Sequence, residues 1–244
     1  MPNLKMKLNR EASDIAQMNT ALSRILIQSL SNYQSDVQTI IKHSRSLNCW
    51  SNALQGNHSA KLVSEIFVDL YVSIHFSLCA LYKYADMALR SALENSLNLA
   101  YFCTHPVEFR WWEKGREWYP KRGSQHPWGE AYNYFRHLGS ELTDSKANEI
   151  LVKHVSHEYR ELSRSIHSSS LRLQTAGAKL SPSMDARKFK SWALRVRKVL
   201  SIVNAVLILS LHDRFRNMNK ADKELVVSAI LREHKNPLES MNLL

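Results

Sequence analysis

Residues 60–103 read AKLVSEIFVDLYVSIHFSLCALYKYADMALRSALENSLNLAYFC and contain neither glycine nor proline. Those two residues are the ones that stop a helix, so a span of this length without either is helical. One uninterrupted rod of that length is unusual in a globular domain, and a break is placed near Leu81 to Tyr84. The first half, Ile66 to Ala80, is apolar nearly all round, which is the pattern of a helix at the centre of a core. The second half carries Arg90, Glu94 and Asn98 at steps of four, a polar stripe among Leu89, Leu93, Leu97, Tyr101 and Phe102. Arg-x-x-x-Glu is the spacing of an ion pair on a helix surface. Turned inward, the same pair must be satisfied by other polar groups.

Working outward, the flanks repeat the helical pattern. From about Arg10 to Leu47, the residues Ile15, Met18, Leu22, Ile25, Leu26, Leu30, Tyr33, Val37 and Ile40 recur at steps of three and four, giving one long amphipathic helix or two collinear ones. Gly56-Asn57 and Ser59 end that unit. On the other side, residues 104–130 are dense in Pro and Gly and hold Trp111, Trp112, Trp118 and Trp128. They read as a loop, either stacking bases or fastened to the core by its aromatics; the interleaved Glu108, Glu113 and Glu117 favour the second. A helix over Tyr132 to Leu138 follows, then a start signal at Thr143-Asp144. Val199 to Phe215 is a core helix, and the polar end after Asn217 predicts a short helix and a loose tail. The fold class is all-α, a single helical bundle with a Trp-rich loop insertion. Its organisation is an N-terminal helical extension (1–56), a helical core (57–216) and a C-terminal short helix and tail (217–244).

The chain has 33 Lys and Arg against 22 Asp and Glu, a formal charge of +11, which favours a polyanionic partner. The densest basic segment is Asp185 to Lys198, where Arg187, Lys188, Lys190, Arg195, Arg197 and Lys198 face one acid in sequence and are the candidate phosphate contacts. Such a run is also what a solvated helix face looks like. Cys49, Cys79 and Cys103 are odd in number and lack paired spacing, so they read as free thiols of a cytoplasmic protein. The first ten residues lack a signal-peptide core, and Val199 to Leu211 is shorter than the roughly 20 residues needed to cross a bilayer, so no membrane is expected. Phosphate-binding glycine loops, Cys-x-x-Cys pairs and serine-hydrolase elbows are absent from the sequence. His154 and His157, three apart, suit a metal only weakly because no third ligand stands at ligand spacing. No metal and no cofactor is expected.

Chemistry concentrates in Tyr159-Arg160-Glu161-Leu162-Ser163-Arg164-Ser165-Ile166-His167. His167 follows Arg160 by seven residues, nearly two helical turns, so both project the same way, with Ser163 and Arg164 between them. A guanidinium, a hydroxyl and an imidazole can then converge on one anionic group; an exposed, partly charged face is the plainer alternative. The paired polar stripes predict that residues 60–103 and 145–172 pack side by side, with Arg90 and Glu94 in reach of Ser163 or His167.

The Arg-x-x-x-Glu helix ending in Tyr101-Phe102 before a His-Pro loop, together with the Tyr-x-x-Leu-Ser-x-x-x-His helix, resembles the HEPN-like helical proteins of bacterial defence, abortive-infection and toxin systems. That family is marked by Arg, four to six residues, then His. Arg160 and His167 have six residues between them, and the similarity spans roughly residues 60–215. Glu161 follows the arginine where the family more often carries a neutral or other polar residue. The resemblance implies a metal-independent endoribonuclease in which His167 moves protons at the 2′-hydroxyl or leaving oxygen and Arg160 stabilises charge on phosphorus. Arg90 and Glu94 would complete the catalytic cluster, with Tyr159, Ser163 and Arg164 in support. It also implies RNA as partner and a homo-oligomer or a partner protein of a defence system. The alternative is a non-catalytic accessory module that binds nucleic acid or oligomerises for a partner enzyme. The two differ in whether the polar cluster does chemistry.

Overall fold

The computed structural model describes residues 2–115, 131, 133–136, 145–166 and 183–244, and every regular element among them is a helix. In chain order these are α1 (Pro2–Asn32), α2 (Gln34–Ser44), α3 (Ser46–Ala53), α4 (Lys61–Leu78), α5 (Tyr82–Phe102) and α6 (Pro106–Glu113). Then follow α7 (Ser145–Ile166), α8 (Ala186–Ser210), α9 (His212–Arg216), α10 (Lys220–Ser228) and α11 (Arg232–Ser240). Residues 133–136 form a further helical turn between α6 and α7.

The break expected inside residues 60–103 lies at Ala80. Leu81 N–H donates to the Phe76 carbonyl (2.8 Å) and Ala80 N–H to that of Ser77 (2.9 Å), which is the Schellman pattern, and Ala80 takes the left-handed conformation at φ 58°. Because Ala rather than Gly occupies this position, the stop leaves no glycine signal in the sequence. It folds α5 back antiparallel on α4: the Asn95 amide reaches Asp69 (3.0 Å), and the Phe76 and Tyr84 rings meet at the turn (5.8 Å).

α8 is the axis of the core, packing against α2, α4, α5, α7 and α11, and it is buried all round from Val199 to Leu209. Its start is fixed by Asp185, whose carboxylate accepts from the Arg187 and Lys188 amides at 2.9 and 3.2 Å. Buried polar groups join it to its neighbours. Trp192 Nε1 donates to Ser73 Oγ (2.9 Å), Trp50 Nε1 to Asn204 Oδ1 (3.0 Å), and the Asn204 amide to Ser46 Oγ (3.0 Å) and the Leu200 carbonyl (2.8 Å).

Several boundaries differ from the sequence reading. Only part of the N-terminal segment is an extension: residues 12–20 of α1 are exposed on every face, whereas Val37, Ile40, Leu47, Trp50 and Leu54 of α2, α3 and the residue after them lie in the common core. Residues 217–244 are not a loose tail, because Val226, His234, Leu238 and Met241 are buried against the bundle. The expected helix Val199 to Phe215 is interrupted at Leu211, where φ is −130°. Within 104–130, residues 106–113 are helical, with Phe109 buried and Trp112 against Phe102 (5.3 Å); residues 116–130, Trp118 and Trp128 among them, lie outside the described residues, apart from none of regular structure. Thr143-Asp144 also lies outside them. The cysteines are free, and burial with a hydrogen bond to Asp222 pushes the Cys49 thiol up to about 12. Among the described residues no helix is long and apolar enough to cross a membrane.

Candidate functional site on α5 and α7

The polar stripe of α5 is one turn longer than Arg90, Glu94 and Asn98: Asp86 stands four residues before Arg90. A step of four on a 3.6-residue helix advances the stripe by about 40° each time, so its ends face different neighbours. Asp86 turns to α8 and Arg90 to α7. Arg90 Nε donates to Glu94 Oε1 (2.9 Å) and Nη2 to the Tyr159 hydroxyl (2.5 Å), with the guanidinium 4.7 Å from the Tyr159 ring centroid. Burial, reinforced by the Glu94 carboxylate, pushes the Tyr159 phenol above its usual range.

The α5–α7 packing expected from the stripes therefore holds, with Tyr159 as the residue that meets Arg90. Ser163 instead donates to its own helix, to the Tyr159 carbonyl at 2.7 Å. Arg160 is exposed, and its Nε donates to the Ser156 carbonyl at 3.3 Å. Arg164 is exposed and paired with Glu161 (2.6 Å). His167 and the side chains of Ser165 and Ile166 lie outside the described residues.

What Arg160 faces is an open cleft of about 570 Å³ lined by Arg136, Glu149, Val152, Lys153, Ser156, Tyr159 and Arg160. One wall is α7 and the other is the turn at 133–136. That turn is held in place by Phe135 and Ala131, both buried, and by the Asn148 amide, which donates to the Arg136 carbonyl at 3.1 Å. Three cations, the Glu149 carboxylate and the Ser156 hydroxyl thus line the cleft together with the half-buried Tyr159 ring. Arg136, Lys153 and Ser156 were missed at the sequence level, although Lys153, Arg160 and His167 recur every seven residues along one helical face.

The basic segment divides in two. Arg187, Lys190 and Arg197 are exposed along one side of α8, and Lys188 is half-buried. Arg195 and Lys198 are turned inward: Arg195 Nη1 meets Asp86 Oδ2 at 2.5 Å, and Lys198 Nζ meets Glu158 Oε1 at 3.3 Å. Both carboxylates are buried, with side-chain exposures of 7% and 6%. The desolvated acids that hold both cations compete with their expected role as phosphate contacts. A smaller groove of about 180 Å³ between α7 and α8 runs over this pair of bridges and is bordered by His157, Glu161, Ser191 and Leu194.

His154 and His157 do not converge: His154 stands edge-on to the buried His234 ring (4.7 Å), and His157 is exposed. Among the described residues no group of three His, Cys, Asp or Glu side chains is placed to hold a metal ion. Comparison with known protein families, curated proteins and solved structures gives no match to this chain.

Proposed function

We propose that this chain is an HEPN-like, metal-independent ribonuclease effector of a bacterial defence or toxin system, working at the α7 cleft. The observation that carries the reading is Arg160 lining a nucleotide-sized cleft, with His167 seven residues after it in the sequence. In this reading the cation offsets charge that develops on phosphorus. His167 takes the proton of the 2′-hydroxyl as that oxygen bonds to phosphorus, or delivers a proton to the 5′-oxygen as its bond to phosphorus breaks. The Arg90–Glu94–Tyr159 group supports the cleft from behind and acts as positioning residues. A homo-oligomer or a partner protein belongs to the same proposal.

A second reading is favoured by the exposed row Arg187, Lys190 and Arg197, which suits a module that binds nucleic acid without cutting it. Labelled RNA incubated with excess chelator separates the two. The nuclease reading expects cleavage by the wild type and its loss in both Arg160→Ala and His167→Ala, at unchanged helical signal. Cleavage that persists in both variants, or that stops on chelation, refutes the mechanism. RNA that is bound and never cut, with natural partners present, establishes the accessory module.

A further inference from the structure

Beyond the reacting phosphate, we infer that Arg136, Lys153, Val152 and Tyr159 form a second subsite that holds the phosphate and base of the neighbouring nucleotide of the same RNA strand. This rests on the RNA reading of the cleft, and it assigns the part of the cleft that the Arg160 and His167 motif does not use.

Size comes first. A volume of about 570 Å³ is that of a site for a whole small organic ligand, well beyond a lone phosphate. Spacing comes next. Lys153 and Arg160 are seven residues apart on α7, about 10.5 Å along the helix axis, and both line the cleft, so it extends well beyond the reacting phosphate. Arg136 lines the same cleft from a segment that the buried Phe135 and the Asn148 hydrogen bond hold in place. Among the described residues neither Arg136 nor Arg160 has a carboxylate partner. Lys153 pairs with Glu149 at 2.6 Å, but both side chains are exposed, at 71% and 60%. An exposed pair of this kind contributes little and exchanges readily for a phosphate.

The remaining lining is apolar or aromatic. Val152 and the Tyr159 ring give a surface on which a base can stack, and the Arg90 guanidinium behind the ring fixes its orientation. Phosphate and base are therefore met by different residues of one cleft. The strand runs along α7, with its reacting linkage at the Arg160 end and the neighbouring nucleotide toward Lys153.

The test is fluorescence anisotropy with a labelled oligoribonucleotide of about ten residues and with a labelled dinucleoside monophosphate, which has one phosphate only. Lys153→Gln with Arg136→Gln is expected to weaken oligomer binding about tenfold or more and to reduce the slope of log affinity against log salt by about 1.4, two charges at about 0.7 each. Dinucleoside binding, which lacks the second phosphate, should fall by much less than oligomer binding, and Lys153→Arg alone should retain oligomer affinity. Both replaced residues are exposed, so the unfolding midpoint should hold and serves as the folding check. An unchanged oligomer affinity and salt slope in the double variant overturns the subsite, whether or not RNA is cut. Binding that shows the expected losses without cleavage sustains the subsite and removes the nuclease mechanism, while a wild type that binds no RNA removes both.

Discussion

Replacing Arg195 by Gln asks whether the α8 cations belong to the fold or to a ligand. The Asp86 carboxylate that Arg195 meets is 7% exposed, Arg195 itself is 20% exposed, and the contact is 2.5 Å. Removing one partner of a fully buried ion pair costs about 3–5 kcal/mol, because the other charge stays behind without compensation. Water at the partly open Arg195 position recovers some of this, leaving about 2–4 kcal/mol for Arg195→Gln. For a chain of this size the corresponding fall in Tm is about 5–15 °C. Urea and thermal unfolding at pH 7 measure it. Adding Asp86→Asn to the same background should restore at least about half of the loss, since the stranded charge is then gone. A loss below about 0.5 kcal/mol, accompanied by a shallower salt dependence of RNA binding, would refute the reasoning and return Arg195 to the ligand surface.

Neutralising the exposed row instead, with Arg187→Gln, Lys190→Gln and Arg197→Gln together, should leave Tm in place and lower the salt slope for RNA by about 2; an unchanged slope places the polyanion elsewhere. Asp185→Ala should cost about 1 kcal/mol at pH 7 through loss of the α8 cap. Because the Lys188 and Arg187 amides hold the Asp185 carboxyl below its usual range, that contribution is present above about pH 4 and fades as pH falls through the folded value; a cost that persists unchanged in acid contradicts it. His234 is pushed down to about 3 by burial, with His154 and Lys198 facing it, and its Nδ1 lies 2.6 Å from Ser201 Oγ. The unfolded chain binds that proton near pH 6.5 and the folded chain does not, so stability falls by up to about 1.4 kcal/mol per pH unit below 6.5. His234→Asn should flatten that slope in urea titrations between pH 6.5 and 4.5, and equal slopes in the two proteins would rule it out.

The sequence by itself determined the helical class, because scarce Gly and Pro and repeats at three and four residues are local properties of the chain. It also determined that the α5 stripe meets a polar stripe on α7, since polar groups on apolar helices must find each other. Tertiary structure alone decided which cations are free. Arg195 and Arg197 look alike in the sequence, yet one faces a buried carboxylate 109 positions away and the other faces water. It also decided that Tyr159, not Ser163, takes the Arg90 guanidinium, because a hydroxyl four residues from its own helix carbonyl bonds locally before it reaches a neighbour. The cleft belongs to this second group. Arg136 joins Lys153 and Arg160 at the cleft by way of the buried Phe135 and the hydrogen bond from Asn148, and no periodicity within one helix encodes a wall supplied by another segment.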